Sequence, residues 1–275
     1  MEVVFLFIAP MLLDSAKEPF DDENYITELK FDGIRIILSN QDGKIKLYTR
    51  HNNEVTNKFP ELHDIDIPEG TVLDGEIIVT NSDGLPDFES VMERFQSSKS
   101  SHQIVYCVFD IIRLNEISIA SEPLVKRKEF LRSINLNHPN IFVVEGVKGK
   151  GKAYFEMAKE KNLEGIVLKK ANSPYEINKR SENWIKVINY QYTDVLITGY
   201  TKEDIKFLLS YPDGLSAGFM EFMPFDERKY FHSIKQIEYE SDDYVFIKPL
   251  LCNVKHRFKT KNGKLRIPSF NSWRD

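Results

Sequence analysis

Short runs of β-branched and aromatic residues, separated by turn residues, recur along the whole chain and constrain its fold most strongly. In the first two thirds of the sequence, the strand-like runs are Tyr25–Leu29, Ile34–Ser39, Ile45–Thr49, Thr71–Val79, Ile104–Ile112, Glu164–Lys169 and Trp184–Tyr192. Helical periodicity predicts helices at Asp87–Gln96, Pro123–Ser133 and Lys152–Lys161. This mixture predicts an α+β domain with antiparallel sheets, because a regular alternation of strand and helix is missing.

The spacing of the strand-like runs changes after Tyr192. Short strands are predicted at Asp194–Tyr200, Ile205–Tyr211, Gly218–Met223 and Tyr244–Lys248, with one helix around Phe225–Ile237. A small barrel of about five strands uses that many segments, and such barrels commonly bind nucleic acid. We therefore predict two domains, residues 1–190 and residues 191–275.

Composition bears on the cellular location. The apolar opening Met1–Leu13 is broken by Glu2 and Pro10 and lacks the features of a signal peptide, so we expect it to be part of the fold. No run approaches the length of a membrane span. Cys107 and Cys252 have no metal-ligand spacing, which favours two buried, reduced thiols in a cytoplasmic protein.

The net charge of −5 is an argument against a nucleic-acid partner, because phosphate binding normally requires an excess of Lys and Arg. The charges are, however, unevenly distributed. From Lys248 to the end of the chain there are eight basic residues and one acidic residue, whereas Glu221–Asp243 holds seven acidic residues. Such a surface can bind phosphate locally. Solvated faces of a stable fold explain the same pattern equally well.

Five segments carry residue types that suit nucleotide chemistry. They are Glu28–Arg35, Val72–Val79, Tyr106–Ile111, Leu163–Lys170, and Arg180 followed by Trp184–Lys186. A lysine that has lost its proton can attack phosphorus, carboxylates can hold a ribose hydroxyl or hydrated Mg²⁺, and cations can neutralise phosphate. An aromatic ring such as that of Phe109 offers a surface for a base. Taken singly, each segment is explained at least as well by a hairpin turn or by packing.

Taken in order, these segments form a more specific pattern. The series Lys-x-Asp-Gly-x-Arg, then Arg50, Leu-Asp-Gly-Glu, Phe-Asp-Ile, Leu-Glu-Gly-Ile-Val and Trp-Ile-Lys resembles the covalent nucleotidyltransferase superfamily. That superfamily comprises ATP-dependent DNA ligases, RNA ligases and messenger-RNA capping enzymes. The chain is most similar to small bacterial ATP-dependent DNA ligases, including the ligase domain of the bacterial end-joining enzyme, and the tail Leu265–Phe270 extends the similarity. The resemblance implies an adenylation domain followed by an OB-fold barrel.

The resemblance also implies roles for individual residues. It implies that Lys30 attacks the α-phosphate of ATP to form a lysyl-AMP, and that Glu76 and Glu164 hold Mg²⁺ or Mn²⁺. AMP would then pass to the 5′-phosphate of a nick in double-stranded DNA, and the 3′-hydroxyl would displace it, as DNA replication, repair and recombination require. The matched ATP-binding residues are Glu28 at adenine, Phe109 stacked on the base, Glu76 at ribose, and Arg35, Arg50, Arg180, Lys186, Arg266 and Arg274 at sugar or phosphate oxygens. We expect a monomer that does not bind membranes.

Two departures from the family pattern bear on phosphate neutralisation. Ile188 stands where many relatives have a second lysine, and relatives usually continue with Asp-Lys where this chain ends at Asp275. Two alternatives also remain open at the level of sequence. One is an RNA ligase or capping-type transferase that uses the same lysine chemistry, and the other is an inactive relative that only binds nucleic acid.

Overall fold

The computed structural model describes residues 7–97 and 99–274 of the 275-residue chain. The chain divides into two compact units, Met1–Ile188 and Asn189–Asp275. The first six residues of the apolar opening and the final Asp275 lie outside the described residues. Within the described ranges, no helix is both long enough and apolar enough to cross a membrane.

The first unit contains two sheets and their covering helices. Its strands are β1 (Leu12–Ser15), β2 (Tyr25–Leu29), β3 (Ile34–Gln41), β4 (Lys44–Thr49), β5 (Val72–Val79), β6 (Ile104–Leu114), β7 (Ile117–Ser118), β8 (Ile141–Val143), β9 (Val147–Lys148), β10 (Gly165–Lys170) and β11 (Arg180–Ile188). Its α-helices are α1 (Phe88–Gln96), α2 (Leu124–Ser133) and α3 (Gly151–Glu160), and short 3₁₀ turns cover Thr56–Lys58 and Pro60–Leu62. The first sheet has the order β1-β11-β10-β2-β9, and the second has the order β4-β3-β5-β6-β7 with β8 paired to β6.

Alternation of side chains along the strands gives each sheet two different faces. On one face of the second sheet, Ile36 and Tyr106 belong to a core that also includes Val91 of α1. On one face of the first sheet, Ile166 and Leu168 pack against α3. Because helices or loops cover these faces, the opposite faces of the two sheets are left to pack against each other.

The two sheets meet through aromatic residues. Trp184 of β11 contacts Phe109 of β6 edge-on, with ring centroids 6.1 Å apart. Trp184 also contacts Tyr175 edge-on and belongs to an apolar cluster with Ile37 of the second sheet. The first sheet is closed at its edge by β1, which pairs in parallel with β11. The polar side chains between the sheets are therefore set in a rigid, largely apolar frame.

The second unit is an antiparallel sheet with one covering helix. Its strands are β12 (Gln191–Thr201), β13 (Phe207–Ser210), β14 (Ser216–Met220), β15 (Ile237–Glu240), β16 (Tyr244–His256) and β17 (Ser269–Trp273), and its helix is α4 (Phe225–Ile234). The order is β14-β13-β12-β16-β15, and β17 pairs with β16. An isolated β-bridge between Phe222 and Ser269 brings the segment after β14 next to β17, so that the sheet is partly closed. Phe231 of α4 packs edge-on against Phe207. The unit is OB-like.

The structure confirms the α+β class and the antiparallel sheets, and each predicted strand or helix corresponds to an observed element. Cys107 and Cys252 are buried and unpaired, as predicted. Several boundaries were wrong, among them that of the strand predicted at Tyr244–Lys248, which continues to His256. The run Trp184–Tyr192 is not one strand, because the chain passes between the two units after Ile188. The helix predicted to reach Ile237 ends at Ile234, because the backbone of the following residue is extended.

A buried ion pair ties α2 to the second sheet. The guanidinium group of Arg127 donates to both carboxylate oxygens of Asp110, at 2.8 and 2.9 Å, and both side chains are fully buried. Arg127 also donates to the carbonyl oxygens of Glu122 and Ser173. A buried carboxylate that loses such a partner keeps the cost of desolvation without compensation.

We predict that Arg127→Met lowers the free energy of unfolding by about 3 to 5 kcal/mol, because it leaves Asp110 buried and uncompensated. Arg132→Met is the matched control. It lies on the same helix and also pairs with a carboxylate through two nitrogens, but about half of its side chain is exposed. It should cost about 1 kcal/mol or less. Urea unfolding at neutral pH measures the free energy of unfolding of both variants. Equal decreases would contradict the larger role assigned to the buried Arg127–Asp110 pair.

Candidate active site

The chain crosses from the first sheet to the second through residues 30–33. Lys30 follows β2 directly, and its backbone N–H donates to the carbonyl oxygen of Gly165 at 2.9 Å. At the other end, the N–H of Gly33 donates to Oε1 of Glu76 at 3.2 Å. A Cβ atom on Gly33 would lie 2.1 Å from the carbonyl oxygen of Ile77, so only glycine fits at this approach. The crossing segment is thus fixed at both ends.

The side chain of Lys30 lies beside a buried carboxylate. Its Nζ donates to Oε2 of Glu164 at 2.7 Å. Of the two side chains, that of Lys30 is 18% exposed and that of Glu164 is 1% exposed. The amine is therefore held in one place by a charge-assisted hydrogen bond while it stays accessible from solvent.

Glu76 is the second carboxylate near this amine. It lies on β5 opposite Arg35 of β3. Burial raises the pKa of the Glu76 carboxyl to about 7, and the negative charges of Glu164 and Asp32 act in the same direction. The positive charges of Lys30 and Arg35 oppose this rise. Glu76 therefore changes its charge close to neutral pH, where a cation would favour its ionised form.

Arg35 is held by a bidentate ion pair. Its Nε and Nη2 donate to the two carboxylate oxygens of Asp74, at 2.9 and 2.6 Å, and Asp74 also accepts from the hydroxyl of Tyr175 at 2.7 Å. The guanidinium carbon lies 5.4 Å from the centre of the Phe109 ring. Arg35 and Phe109 therefore line the same space as Glu76, because 35 and 76 are cross-strand neighbours.

Glu28 forms a deeply buried part of the site. Its two carboxylate oxygens form ion pairs with Nζ of Lys128 at 2.5 Å and with Nζ of Lys169 at 2.7 Å. Lys169 also lies 4.4 Å from the centre of the Phe109 ring and 4.1 Å from that of Trp184. Burial lowers the pKa of Lys169 to about 8, although the charge of Glu28 opposes the shift.

The structure thus brings six of the predicted site residues together between the two sheets, namely Glu28, Lys30, Arg35, Glu76, Phe109 and Glu164. Lys186 belongs to the same face of the first sheet, because it pairs with Val167, which in turn pairs with Glu28. Arg50 and Arg180 are exposed. Arg50 donates to the ring of His51 at 2.9 Å, and Arg180 donates to the carbonyl oxygen of Leu13.

The two remaining predicted residues belong to the second unit. The guanidinium carbon of Arg266 lies 4.8 Å from the centre of the Phe258 ring. Arg274 donates to Oδ1 of Asp194 at 3.1 Å. Hydrogen bonds from Asn253 and from Arg274 lower the pKa of the Asp194 carboxyl. Each arginine is therefore held by a neighbour within its own unit.

The carboxylates of the site fit a divalent cation that keeps most of its water ligands. Among residues 7–97 and 99–274, no group of three or more His, Cys, Asp or Glu side chains is arranged as a metal cage. Mg²⁺, however, usually binds through one or two carboxylates together with water and the phosphates of a substrate. Glu76 and Glu164, whose charges act on each other, offer such a pair of hard oxygen ligands.

Sequence reasoning missed three parts of this site. Asp74 and Tyr175 position Arg35, and Lys128 compensates the charge of Glu28. Asp74 lies within a recognised motif, two residues before Glu76 on β5. Because side chains two residues apart on a strand share a face, its position could have been predicted. Lys128 stands in the run Lys126-Arg127-Lys128, which is typical of a solvated helix face and gives no such signal.

Comparisons with known proteins agree on one family. A family model described as the ATP dependent DNA ligase domain matches residues 10–187. The SPbeta prophage-derived DNA ligase-like protein LigB of Bacillus subtilis is 74% identical over 98% of this chain and 100% of its own length. The multifunctional non-homologous end joining protein LigD of Mycolicibacterium smegmatis is 25% identical over 97% of this chain but only 38% of its own length.

Two solved structures share the fold. A Lig E DNA ligase superimposes with a TM-score of 0.69 at 19% identity, covering 98% of this chain and all of that one. The mycobacterial DNA ligase D complexed with ATP and MES superimposes with a TM-score of 0.60 at 22% identity, covering 97% of this chain and 95% of that one. At this level of identity, the similarity establishes the architecture of the chain.

We predict that Glu76→Gln removes a pH dependence of stability. Because the pKa of Glu76 is raised from 4.5 to about 7, its contribution to stability is complete below about pH 4.5 and is lost as the pH rises through 7. The wild type should therefore lose up to about 3 kcal/mol relative to the variant across this interval. Urea unfolding of both proteins at about pH 5 and about pH 8 measures the difference.

Glu54→Gln provides a control, because Glu54 is a carboxyl whose pKa is shifted in the opposite direction. The pKa of Glu54 is lowered by a hydrogen bond from Lys46, so its contribution is present above its ordinary pKa and is lost on acidification. Between about pH 5 and about pH 8, replacing Glu54 should leave the pH dependence of stability close to that of the wild type, because its own window lies at and below pH 4.5. Replacing Glu76 should remove the pH dependence in this interval. If the two variants show the same pH dependence there, the assignment for Glu76 is wrong.

Proposed function

The chain belongs to the ATP-dependent DNA ligase family, and from this we propose that it seals nicks in duplex DNA by way of a lysyl-AMP on Lys30. The observation that carries the proposal is the position of the Lys30 amine, accessible and hydrogen-bonded to Glu164 with Glu76 nearby. Two carboxylates beside one amine suit a reaction that needs a cation and a nucleophile at the same phosphorus.

In the first step, Nζ of Lys30 loses its proton and attacks the α-phosphorus of ATP. A phosphorus–nitrogen bond forms, the bond to the bridging oxygen breaks, and pyrophosphate leaves with the bonding electrons. Arg35 lies where it can neutralise charge on the transferred group, because its ion pair with Asp74 fixes its guanidinium group beside Phe109. Phe109 offers the aromatic surface on which the base stacks.

Glu76 and Glu164 would hold Mg²⁺ or Mn²⁺. When bound, such a cation neutralises the negative charge that spreads over the phosphate oxygens during transfer. Binding would also favour the ionised form of Glu76, whose carboxyl is otherwise partly protonated near neutral pH. Arg50, Arg180 and Lys186 are assigned to sugar and phosphate oxygens by their places in the family pattern.

In the later steps, the 5′-phosphate of a nick takes AMP from Lys30, and the 3′-hydroxyl then displaces AMP to form the phosphodiester bond. We assign catalysis to residues 1–190 and a role in contacting nucleic acid and pyrophosphate to the barrel of residues 191–275. Arg266 and Arg274 carry the second role. We further propose a cytoplasmic monomer that serves DNA replication, repair or recombination.

A direct assay compares ATP with GTP as donor, and nicked duplex DNA with nicked RNA as acceptor. DNA sealing with ATP and Mg²⁺ supports the proposal, whereas sealing of RNA alone indicates an RNA ligase and GTP labelling alone indicates a capping-type transferase. A protein that binds the nick without any labelling is an inactive relative. Nicked, cohesive and blunt DNA ends should be compared in the same experiment.

We predict that Lys30→Ala abolishes the AMP adduct, because no other amine replaces it as the nucleophile. Intact-mass spectrometry after incubation with ATP and Mg²⁺ measures the adduct. Lys44→Ala is the matched control, since Lys44 is exposed on β4 and plays no part in the site. An adduct that persists without Lys30 would show that the nucleophile has been misassigned.

We also predict that Arg266→Ala slows self-adenylation at least about tenfold more than it slows sealing of a pre-adenylated nick, since pyrophosphate takes part only in the first step. Single-turnover rates of the two reactions provide the measurement. Lys264→Ala, an exposed neighbour in the same unit, is the control. Equal losses in both reactions would remove the assigned role.

A further inference from the structure

Arg274 is held at one end of a series of hydrogen bonds that crosses three strands of the second unit. From this arrangement we propose that Asp194 is a positioning residue, which fixes the guanidinium group of Arg274 so that its outer nitrogens can bind pyrophosphate. The inference rests on the proposed function, because Arg274 owes its role in the first step to the family pattern. None of the motifs that identified the site includes Asp194 or the amides that support it.

The series of hydrogen bonds begins at Asn271 of β17. Its Nδ2 donates to Oδ1 of Asn253 on β16 at 3.0 Å, and Nδ2 of Asn253 donates to Oδ1 of Asp194 on β12 at 2.6 Å. The same oxygen of Asp194 accepts from Nε of Arg274 at 3.1 Å. Because Asn253 accepts through its oxygen and donates through its nitrogen, its two neighbours together set the orientation of its amide.

Asn253 anchors this series because it lies in the interior. Only 4% of the residue is exposed, and it is paired with Asp194 on one side and with Ser272 on the other. A buried amide is costly unless its hydrogen bonds are formed, and here both ends of the amide are used. The hydrogen bonds from Asn253 and Arg274 also lower the pKa of the Asp194 carboxyl, so that it stays ionised at neutral pH. The carboxylate is therefore fixed in place and in charge, although about half of its side chain is exposed.

The hydrogen bonds of Arg274 leave its outer nitrogens available to a ligand. Its backbone N–H donates to the carbonyl oxygen of Leu251 at 3.2 Å, so the main chain is held as well as Nε. Among the described residues, Nη1 and Nη2 have no hydrogen-bond partner, and about half of the side chain is exposed. A guanidinium group can bind phosphate oxygens through two nitrogens at once. Arg274 can therefore bind an anion through its two Nη atoms while Nε keeps its bond to Asp194.

Two effects of Asp194 on pyrophosphate oppose each other. Its negative charge repels the anion, whereas its hydrogen bond removes rotamer freedom that Arg274 would otherwise lose on binding. The repulsion is weak, because both side chains are about half exposed, so that water and salt screen the charge. A cation that is already oriented stabilises the charge on the leaving pyrophosphate without reorganisation. We therefore expect the positioning effect to prevail.

The test follows the first step in both directions, using the full chain. In the forward direction, Lys30 takes AMP from ATP and pyrophosphate leaves. In reverse, a pyrophosphate oxygen attacks the phosphorus of the lysyl-AMP, the phosphorus–nitrogen bond breaks, and its electron pair returns to Nζ of Lys30, which takes up a proton. Intact-mass spectrometry measures both rates. Asp194→Ala should slow both roughly tenfold or more, while sealing of a pre-adenylated nick stays within about twofold of the wild type.

Two further variants distinguish positioning from a loss of folding. Asp194→Asn keeps an acceptor oxygen at the same place, so both rates should return to within roughly threefold of the wild type. Asp194→Ala should cause no further loss when it is combined with Arg274→Ala, because Asp194 acts only through Arg274. Losses that multiply in the double variant would contradict this coupling and overturn the inference.

Glu240→Gln is the matched control. Glu240 is likewise a carboxylate of the second unit that is about half exposed, and its ion pair with Lys202 measures 3.1 Å. This variant should leave all three rates unchanged. An equal loss of all three rates in Asp194→Ala would show a merely structural role, and faster self-adenylation would show that repulsion of pyrophosphate prevails. Either result overturns the inference.

Affinity for inorganic pyrophosphate decides the inference separately from the proposed function. Isothermal titration calorimetry should show binding roughly tenfold weaker in Asp194→Ala than in the wild type. A wild type that never carries AMP would refute ligation, yet this difference in affinity would still support the positioning role. Equal affinities, or no binding by either protein, would overturn it.

Discussion

The site depends on one short crossing of the chain between two sheets. The backbone leaves the first sheet at Lys30, which is bonded to Gly165, and enters the second sheet past Gly33, which is bonded to Glu76. The backbone at Gly33 approaches Ile77 too closely for any Cβ, so glycine is required where the crossing enters the second sheet. The two sheets thus fix the position of the reactive amine.

The space between the sheets holds an unusual amount of paired charge. Arg35 with Asp74 and Arg127 with Asp110 are bidentate pairs, and the Glu28 cluster adds three more charged groups. Buried pairs of this kind contribute little net stability, since desolvation offsets most of their attraction. Their contribution is geometric. They fix donors and acceptors at set distances, which is what a site for a charged nucleotide requires.

The sequence predicted the frame of the molecule more fully than its charge network. Hydrophobic alternation predicted the long central strands, because their pattern reflects burial on at least one face. It missed edge strands such as β7, β9 and β15, whose short, exposed runs carry no such pattern. The ordered motifs predicted that Lys30, Glu76 and Glu164 come together. The partners of these groups, Lys128 above all, could not be predicted, because long-range pairing leaves no local trace.

The parallel edge strand has a consequence for biosynthesis. β1 pairs with β11 in a register that sets Leu12 opposite Arg180, so the partners are separated by most of the first unit. On the ribosome, β1 emerges early and must remain unpaired until β11 has also left the exit tunnel. Long loops are costly to close before any contact rewards them. The first sheet is therefore completed late, and the nascent chain exposes a strand that chaperones or neighbouring chains can reach in the meantime.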